Sequence, residues 1–405
     1  SRSDIKGGAA QASYQIHTLL RDAGHRSVLA VQQKTSSDPD VVPVGIRPLS
    51  RCNWPERIER IRSRLEGGYR VQSTPHCYFN RNLAPVPEWD TVLKIMPKPD
   101  VIVLHWITHL VTAADIHRLA ERVDCPIVWL MMDMEPMTGG CHYPGECERY
   151  QSECRDCPQL LAGGGNGWAG RNWDEKKRQL AGVPITFVAA TQWLADRLTR
   201  SGLFHGHTVV QIPLPVHPRM RPLEKSVARD ILGWPSDKKI ILVGSHNLKD
   251  PRKGMDRLIE ATHLLAGQEK NCENVLFVLM GDNGRKLSSE IPFVSQDMGY
   301  VSSTTELVLA YQAADVFASP SIEDAGPMMI SQAMMCGTPV VAFDTGIAAE
   351  LLASGEGGYM ARLGDAEDFA HGLQLMLTDD GSAGTRAADI ATRHHNPQRI
   401  AQAYG

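Results

Sequence analysis

The chain has 405 residues, of which 42% are apolar, and its 42 Lys and Arg against 46 Asp and Glu leave a net charge of −4. That length suits two domains of about 150 residues each, and the mildly acidic balance lacks the basic footprint of a dedicated nucleic-acid binder, so no nucleic-acid partner is expected. No apolar run reaches the roughly 18 residues of a transmembrane helix and the opening residues do not read as a signal peptide, so a cytoplasmic location is expected, with the Met-less Ser-Arg-Ser opening read as a trimmed start.

The first element is a helix, with Ala9, Ala12, Ile16, Leu19, Leu20 and Ala23 at helical spacing and Gly24 as its stop. A strand follows at Ser27–Val31, then a polar loop from Thr35 to Asp40. Asp38-Pro39-Asp40 in that loop has the form of a metal motif and is taken as a chance match. A helix from Trp54 to Leu65 carries Arg57, Arg60, Arg62 and Arg64, diluted by Glu56, Glu59 and Glu66. It reads first as a solvated face and second as a contact with anionic lipid or an acceptor phosphate. Apolar runs at Val101–His105, Pro126–Met131, Ile185–Ala190 and Thr208–Ile212 alternate with helical stretches. Such runs fit parallel strands covered on both faces. The proline-rich, aperiodic stretch Pro213–Pro222 reads as the linker between domains. Beyond it the alternation restarts, with strands at Ile240–Val243, Val275–Met280, Asp315–Ala318 and Val340–Phe343. Helices are expected over Met255–Ala266, Thr304–Ala313 and Pro327–Cys336, with a further helix N-capped by Asp365. The division expected is 1–213, 214–385 and a final helical segment 386–405 that crosses back to the first domain.

The segment richest in chemistry runs from Ser319 to Gly346: a strand end, a loop bearing Glu323 and Asp324, then a helix opening at Pro327. Proline suits the first turn of a helix. A helix N-terminus at the carboxyl end of a parallel sheet presents free N–H groups to a phosphate. An ordinary strand-turn-helix with an acidic loop is the plainer reading of the same residues.

Pro320, Ser321, Ala333, Met334, Gly337, Pro339, Val340 and Val341 fall where the signature of retaining glycosyltransferases of family 4 has them. The segment resembles that family, and its Ser321-x-Glu323-Asp324-x-x-Pro327 form is similar to the branch used in capsule and exopolysaccharide synthesis. The resemblance implies an α/β GT-B fold, two Rossmann-like domains facing a cleft. It implies transfer of a sugar from a UDP- or GDP-type nucleotide-sugar to a glycan or lipid-linked glycan, with no catalytic metal and with peripheral contact at the inner face of a membrane. By the same resemblance, Arg252 and Lys253 in Asp250–Ala261 bear on the donor diphosphate, with Asp324 and Glu323 as the acidic residues of the site. Tyr300 and Val301 meet the nucleotide base; Gly326, Pro327, Met328 and Gln332 line the donor site. Gly7 and Gly8 open the first helix as a glycine-rich loop that lets backbone approach the donor.

Three departures stand out. The second acidic position of the signature, with seven residues between, falls on Gln332. A sugar-contacting His expected after Pro126–Met131 is replaced by Met132, leaving His105, His109 and His142 as nearby histidines. Ile212–His217 lacks the family's Asn-Gly. These leave two alternatives to a transferase: a catalytically degenerate scaffold or binding subunit, and a sugar-nucleotide epimerase. Separately, Cys141-x5-Cys147-x6-Cys154-x2-Cys157 ends in a zinc-ribbon spacing. Four thiolates would close a structural zinc site; disulfides and reduced thiols are the other readings.

Overall fold

The computed structural model describes residues 1–45, 54, 57, 58, 92–94, 96, 98–108, 110–160, 167–268 and 272–404. The helix expected over Trp54–Leu65 lies outside these apart from Trp54, Arg57 and Ile58. The chain divides into two compact units, Ser1–Pro215 with Pro397–Gly405, and Val216–Asn396.

Unit 1 opens with helix α1, Gly8–Asp22, which buries Ala12 and Ile16 and starts from Gly7 at φ +93°. Strands β1, Leu29–Val31, and β2, Val41–Pro43, form a separate two-stranded parallel sheet. Buried Asp4 ties the intervening loop down by accepting from the backbone N–H of Thr35 (3.0 Å) and Ser36 (2.7 Å). The main sheet has the order β3-β4-β5-β6, all parallel, from Ile102–Leu104, Ile127–Met131, Ile185–Ala189 and Thr208–Gln211. Helices α2, Ala113–Arg122, α3, Trp168–Leu180, and α4, Gln192–Arg200, connect it. A reciprocal capping box between Thr112 and Asp115 starts α2.

Unit 2 carries a six-stranded parallel sheet, β7 Lys239–Asn247, β8 Val275–Asp282, β9 Val294–Gly299, β10 Val316–Ser319, β11 Val340–Phe343 and β12 Gly358–Ala361. Its spatial order is β12-β11-β10-β7-β8-β9. The chain starts in the middle, builds outward to β9, then returns to the other side of β7. That order is a doubly wound sheet, with its switch point between β7 and β10. Ile240 and Leu242 face one apolar layer with Tyr311, Phe317 and Met334. Ile241 and Val243 face the other with Phe277, Phe343 and Phe369. Alternation along a strand covered on both faces is why β7 reads as an unbroken apolar run. Helices α5 Lys225–Leu232, α6 Met255–Gln268, α7 Gly284–Ser288, α8 Thr304–Ala313, α9 Met328–Met335, α10 Ala348–Leu351, α11 Ala366–Leu377 and α12 Ser382–His394 complete the unit. Helix α13, Pro397–Tyr404, belongs to unit 1, where it packs on α1.

One ion pair pins the edge of β7 to β10. Asp315 Oδ2 accepts from Arg229 Nη2 (2.6 Å) and from the Ile240 N–H (2.7 Å), and Oδ1 accepts from Lys225 Nζ (2.8 Å). Burial would raise the Asp315 carboxyl, but Lys225, the Ile240 N–H and Arg229 more than offset it and hold it below the usual range. A carboxylate lowered by folding stabilises above its unfolded pKa of about 3.9 and loses that contribution as pH falls through the folded value. Asp315→Ala would leave Arg229 buried without its counter-charge, held only by backbone carbonyls, so it should lower the unfolding free energy by about 3 kcal/mol at neutral pH. The deficit should shrink on acidification, as read by urea denaturation at two pH values.

Candidate functional site

The carboxyl ends of β7 and β10 carry the residues of greatest chemical interest. After β7 the chain makes a short turn, Pro251–Lys253, started by Asp250, whose side chain accepts from the Arg252 N–H. Arg252 Nη2 returns to Asp250 Oδ2 at 2.5 Å. After β10 the chain crosses directly over this turn, and the Ile322 N–H donates to the Arg252 carbonyl (2.8 Å). Lys253 Nζ then donates to Asp324 Oδ2, joining two residues 71 apart in sequence. Asp324 is buried, and its Oδ1 accepts from the Gly326 N–H (3.2 Å). Burial would raise its carboxyl; the Lys253 ammonium, helped by Arg252, reverses that and holds it ionised below the usual range.

Two glycines make this approach feasible. Gly254 sits at φ +62°, and any Cβ there would run into the Pro320 carbonyl oxygen. Gly346, at φ +57°, lies under the acidic loop, where a Cβ would stand 2.6 Å from the Asp324 carbonyl oxygen. Both conditions favour glycine. Helix α9 opens at Pro327 with no side-chain cap and no acidic residue in its first turn. Its N–H groups and positive dipole end stand beside the Lys253–Asp324 pair, an arrangement suited to a phosphate.

The structure thus brings Arg252, Lys253, Glu323, Asp324, Gly326, Pro327 and Met328 together at the switch point of unit 2. Gln332 lies one turn into α9, buried, with its Oε1 accepting from the buried Tyr311 hydroxyl (3.2 Å). Half of its side-chain amide is therefore committed to the core. Tyr300 follows β9, half-exposed, with its ring edge-on to His246 on β7 at 5.0 Å, while Val301 packs on the core. Gly7 and Gly8 belong to unit 1; nothing lies within 4 Å of where either Cβ would be, and α1 has no side-chain cap.

The cysteine expectation fares differently. Cys141, Cys147, Cys154 and Cys157 line one small cavity of unit 1 and all four are free thiols, so no disulfide forms among them. Among the described residues no three His, Cys, Asp or Glu side chains come together as a metal-holding group. Burial pushes the Cys154 thiol up to about 11 and raises Cys157 as well. The fold thus brings the four thiols to the wall of one cavity. Asp38 is occupied locally, accepting from Tyr14 Oη (3.0 Å) and Arg21 Nη1 (2.9 Å). His109 lies outside the described residues.

Sequence reading missed a second polar centre, after β3 and β4 of unit 1. Asp133 Oδ2 accepts from Trp106 Nε1 (2.9 Å) and His142 Nδ1 (2.7 Å), and its Oδ1 accepts from the Glu135 N–H (2.9 Å). Beneath it, Lys176 and Glu135 form a buried ion pair (2.7 Å). His142 was legible only as a nearby histidine, because it stands nine positions along the loop from its partner.

Comparison with known proteins follows the same division. Residues 237–379, most of unit 2, match the family model described as "Glycosyl transferases group 1". The chain is 27% identical over 230 residues to a D-inositol 3-phosphate glycosyltransferase of Rhodococcus jostii, covering 54% of this chain and 50% of that one. It is 27% identical over 216 residues to a phosphatidyl-myo-inositol mannosyltransferase of Mycobacterium leprae, covering 52% of each. The chain thus spans about half the length of the curated relatives it matches. Among solved structures, a sucrose-phosphate synthase from Thermosynechococcus elongatus superposes with TM-score 0.66 at 17% identity, covering 98% of this chain and 92% of that one. Anabaena HepE in complex with UDP and glucose superposes with TM-score 0.64 at 16% identity, covering 100% and 96%. These likenesses show the fold, an α/β GT-B fold of two Rossmann-like units with parallel sheets.

The glycine requirement gives a direct test of how the site is built. Gly254→Ala should destabilise the protein by about 2 kcal/mol, from the left-handed backbone and the displaced acidic loop together. Gly267→Ala, on helix α6 with open space beside it, should change little. Thermal denaturation of the two variants side by side checks this.

Proposed function

We propose that this protein is a glycosyltransferase that moves a sugar from a nucleotide-sugar of UDP or GDP type to a hydroxyl acceptor with retention of anomeric configuration. The observation that carries the reading is the Lys253–Asp324 pair beside the uncapped start of α9, at the switch point of a sheet whose sequence matches a glycosyl transferase family model. A partly buried ammonium held against a buried carboxylate, next to free helix N–H groups, stabilises negative charge that grows on a departing diphosphate. Lys253 has three N–H donors, and Asp324 uses one, so two remain for phosphate oxygens. Asp324 fixes where they point. Arg252, braced on Asp250, adds a second cation.

On this reading no enzyme nucleophile is required. The acceptor oxygen bonds to the anomeric carbon as the bond to the diphosphate oxygen breaks. The electron pair leaves with the diphosphate, which also takes the acceptor's proton from the same face. Tyr300 and Val301 sit against the base. The acceptor class follows the relatives' names: a polyol phosphate or its lipid-linked form, with glycans as the wider class. No described helix is long and apolar enough to cross a membrane, so a lipid-linked acceptor would be met at the surface.

The second reading, a degenerate transferase kept as a binding subunit, draws on Gln332. Its amide oxygen is held by Tyr311, and it stands where the resemblance puts a carboxylate.

Both readings bind nucleotide; only the first makes product. Incubation with UDP-glucose, UDP-N-acetylglucosamine and GDP-mannose against D-inositol 3-phosphate and octyl glucoside should yield one glycoside, with the donor's anomeric configuration by NMR. Lys253→Ala should cut kcat/KM by about 100-fold or more, the scale of losing a charge-stabilising donor. Nucleotide binding with no product from any pair would favour the subunit reading.

A further inference from the structure

Gln332 stands in α9 where the signature has its second acidic residue, one turn beyond Met328. Its side chain meets the hydroxyl of Tyr311, which lies on α8 in the apolar layer with Phe317 and Met334. Tyr311 is fully buried, and the Phe317 ring stands edge-on to it at 5.5 Å. Burial raises its hydroxyl well above the ordinary value, so the proton stays on the oxygen.

A buried O–H needs an acceptor. Among the described residues that acceptor is Gln332 Oε1, at 3.2 Å. An amide turned the other way would present its NH2 to Tyr311 and leave the hydroxyl proton aimed into apolar side chains. The tyrosine therefore fixes the orientation, with the amide oxygen into the core and the NH2 away from it. Gln332 Nε2 has no hydrogen-bond partner among the described residues, and it is absent from the sealed unpartnered atoms of the core, so solvent reaches it. A carboxylate at this place would hold Tyr311 with one oxygen and offer an acceptor with the other. This chain offers donors only.

The rest of unit 2 indicates what stands opposite. Lys253 and the uncapped start of α9 meet phosphate charge, and Tyr300 and Val301 follow β9. In a nucleoside diphosphate the group between base and phosphate is the ribose. Gln332 shares α9 with the phosphate end, and Tyr311 ties it to α8, the helix that follows Val301.

We propose that the Gln332 amide reads the nucleotide's ribose as a hydrogen-bond donor: its Nε2–H bonds to a ribose hydroxyl oxygen, and Tyr311 is the positioning residue that keeps the donor facing out. This rests on the nucleotide-binding part of the transferase reading. A carboxylate at that place uses the hydroxyl's proton; the amide uses only its lone pair. Fluorine in place of the hydroxyl removes the proton and keeps a small acceptor, so this site tolerates the exchange.

The test compares UDP or GDP, whichever binds the wild type, with its 2′-deoxy-2′-fluoro and 3′-deoxy-3′-fluoro analogues by calorimetric titration. The wild type should bind both analogues within about threefold of the parent nucleotide. Gln332→Glu sets a carboxylate oxygen against fluorine where the parent has an O–H, and should weaken one analogue about tenfold relative to the parent, the scale of one hydrogen bond. Tyr311→Phe frees the amide to turn its oxygen outward and should raise the same ratio above that of the wild type, whereas a general loss of packing would weaken parent and analogue alike. A wild type that loses about tenfold or more on either analogue overturns the inference. So does an equal ratio in wild type, Gln332→Glu and Tyr311→Phe, and in both cases nucleotide binding itself stands. If Gln332→Glu does not fold, the Tyr311→Phe ratio decides. If no nucleotide binds the wild type, the donor-site reading falls and this inference with it.

Discussion

The arrangement of unit 2 depends on one contact, the ion pair between Lys253 and Asp324. The sheet order alone leaves a crevice between β7 and β10, because consecutive connections leave those strands in opposite directions. A crevice is not yet a site. It becomes one when the turn after β7 and the loop after β10 are locked together, and the lock is an ammonium against a buried carboxylate. Taking two charges out of water is costly, and a buried pair gives little net stability against an apolar substitute. Such a pair placed at the mouth of a sheet makes better sense as a fixed electrostatic device. It stores a cation where an anion is to be held, with its reorganisation already done when the protein folds.

The surroundings are organised by the same requirement. Gly254 and Gly346 remove the two Cβ atoms that would keep the loops apart. Asp250 turns the chain sharply enough for Arg252 and Lys253 to emerge on the same short segment. The uncapped start of α9 adds dipole and free N–H groups. Unit 1 solves a comparable problem with different parts. There a buried Lys176–Glu135 pair braces the loop after β4, whose product is an oriented histidine.

Much of the fold was legible because both faces of its sheets are covered. Ile240–Val243 and Val340–Phe343 are unbroken apolar runs, and Asp365 caps its helix by accepting from the Asp368 N–H. Strands at the margins escaped. Val294–Gly299 lies at the edge of the sheet with mixed polar residues, and Val41–Pro43 pairs only with β1, so neither carries the core signal. At the candidate site, residue types in sequence order marked Lys253 and Asp324 separately. That they hold one another across 71 positions is a property of strand order, which no local pattern encodes. The same limit hid the Asp133–His142 contact. For the cysteines, the spacing names four thiols, and the fold gathers them around one small cavity. Gln332 shows a third kind of limit, since the sequence marks its place in the signature but not that Tyr311 holds its amide oxygen.

The central claim is that Lys253 and Asp324 act as one unit in holding a nucleotide diphosphate. Calorimetric titration of UDP and GDP into the wild type, Lys253→Ala, Asp324→Ala and the double variant measures this directly. One nucleotide should bind the wild type. Each single variant should bind about tenfold more weakly or worse, and the double variant should be little worse than Lys253→Ala alone, because the carboxylate acts through the ammonium. Binding that survives Lys253→Ala unchanged, or losses that simply add in the double variant, would contradict the account.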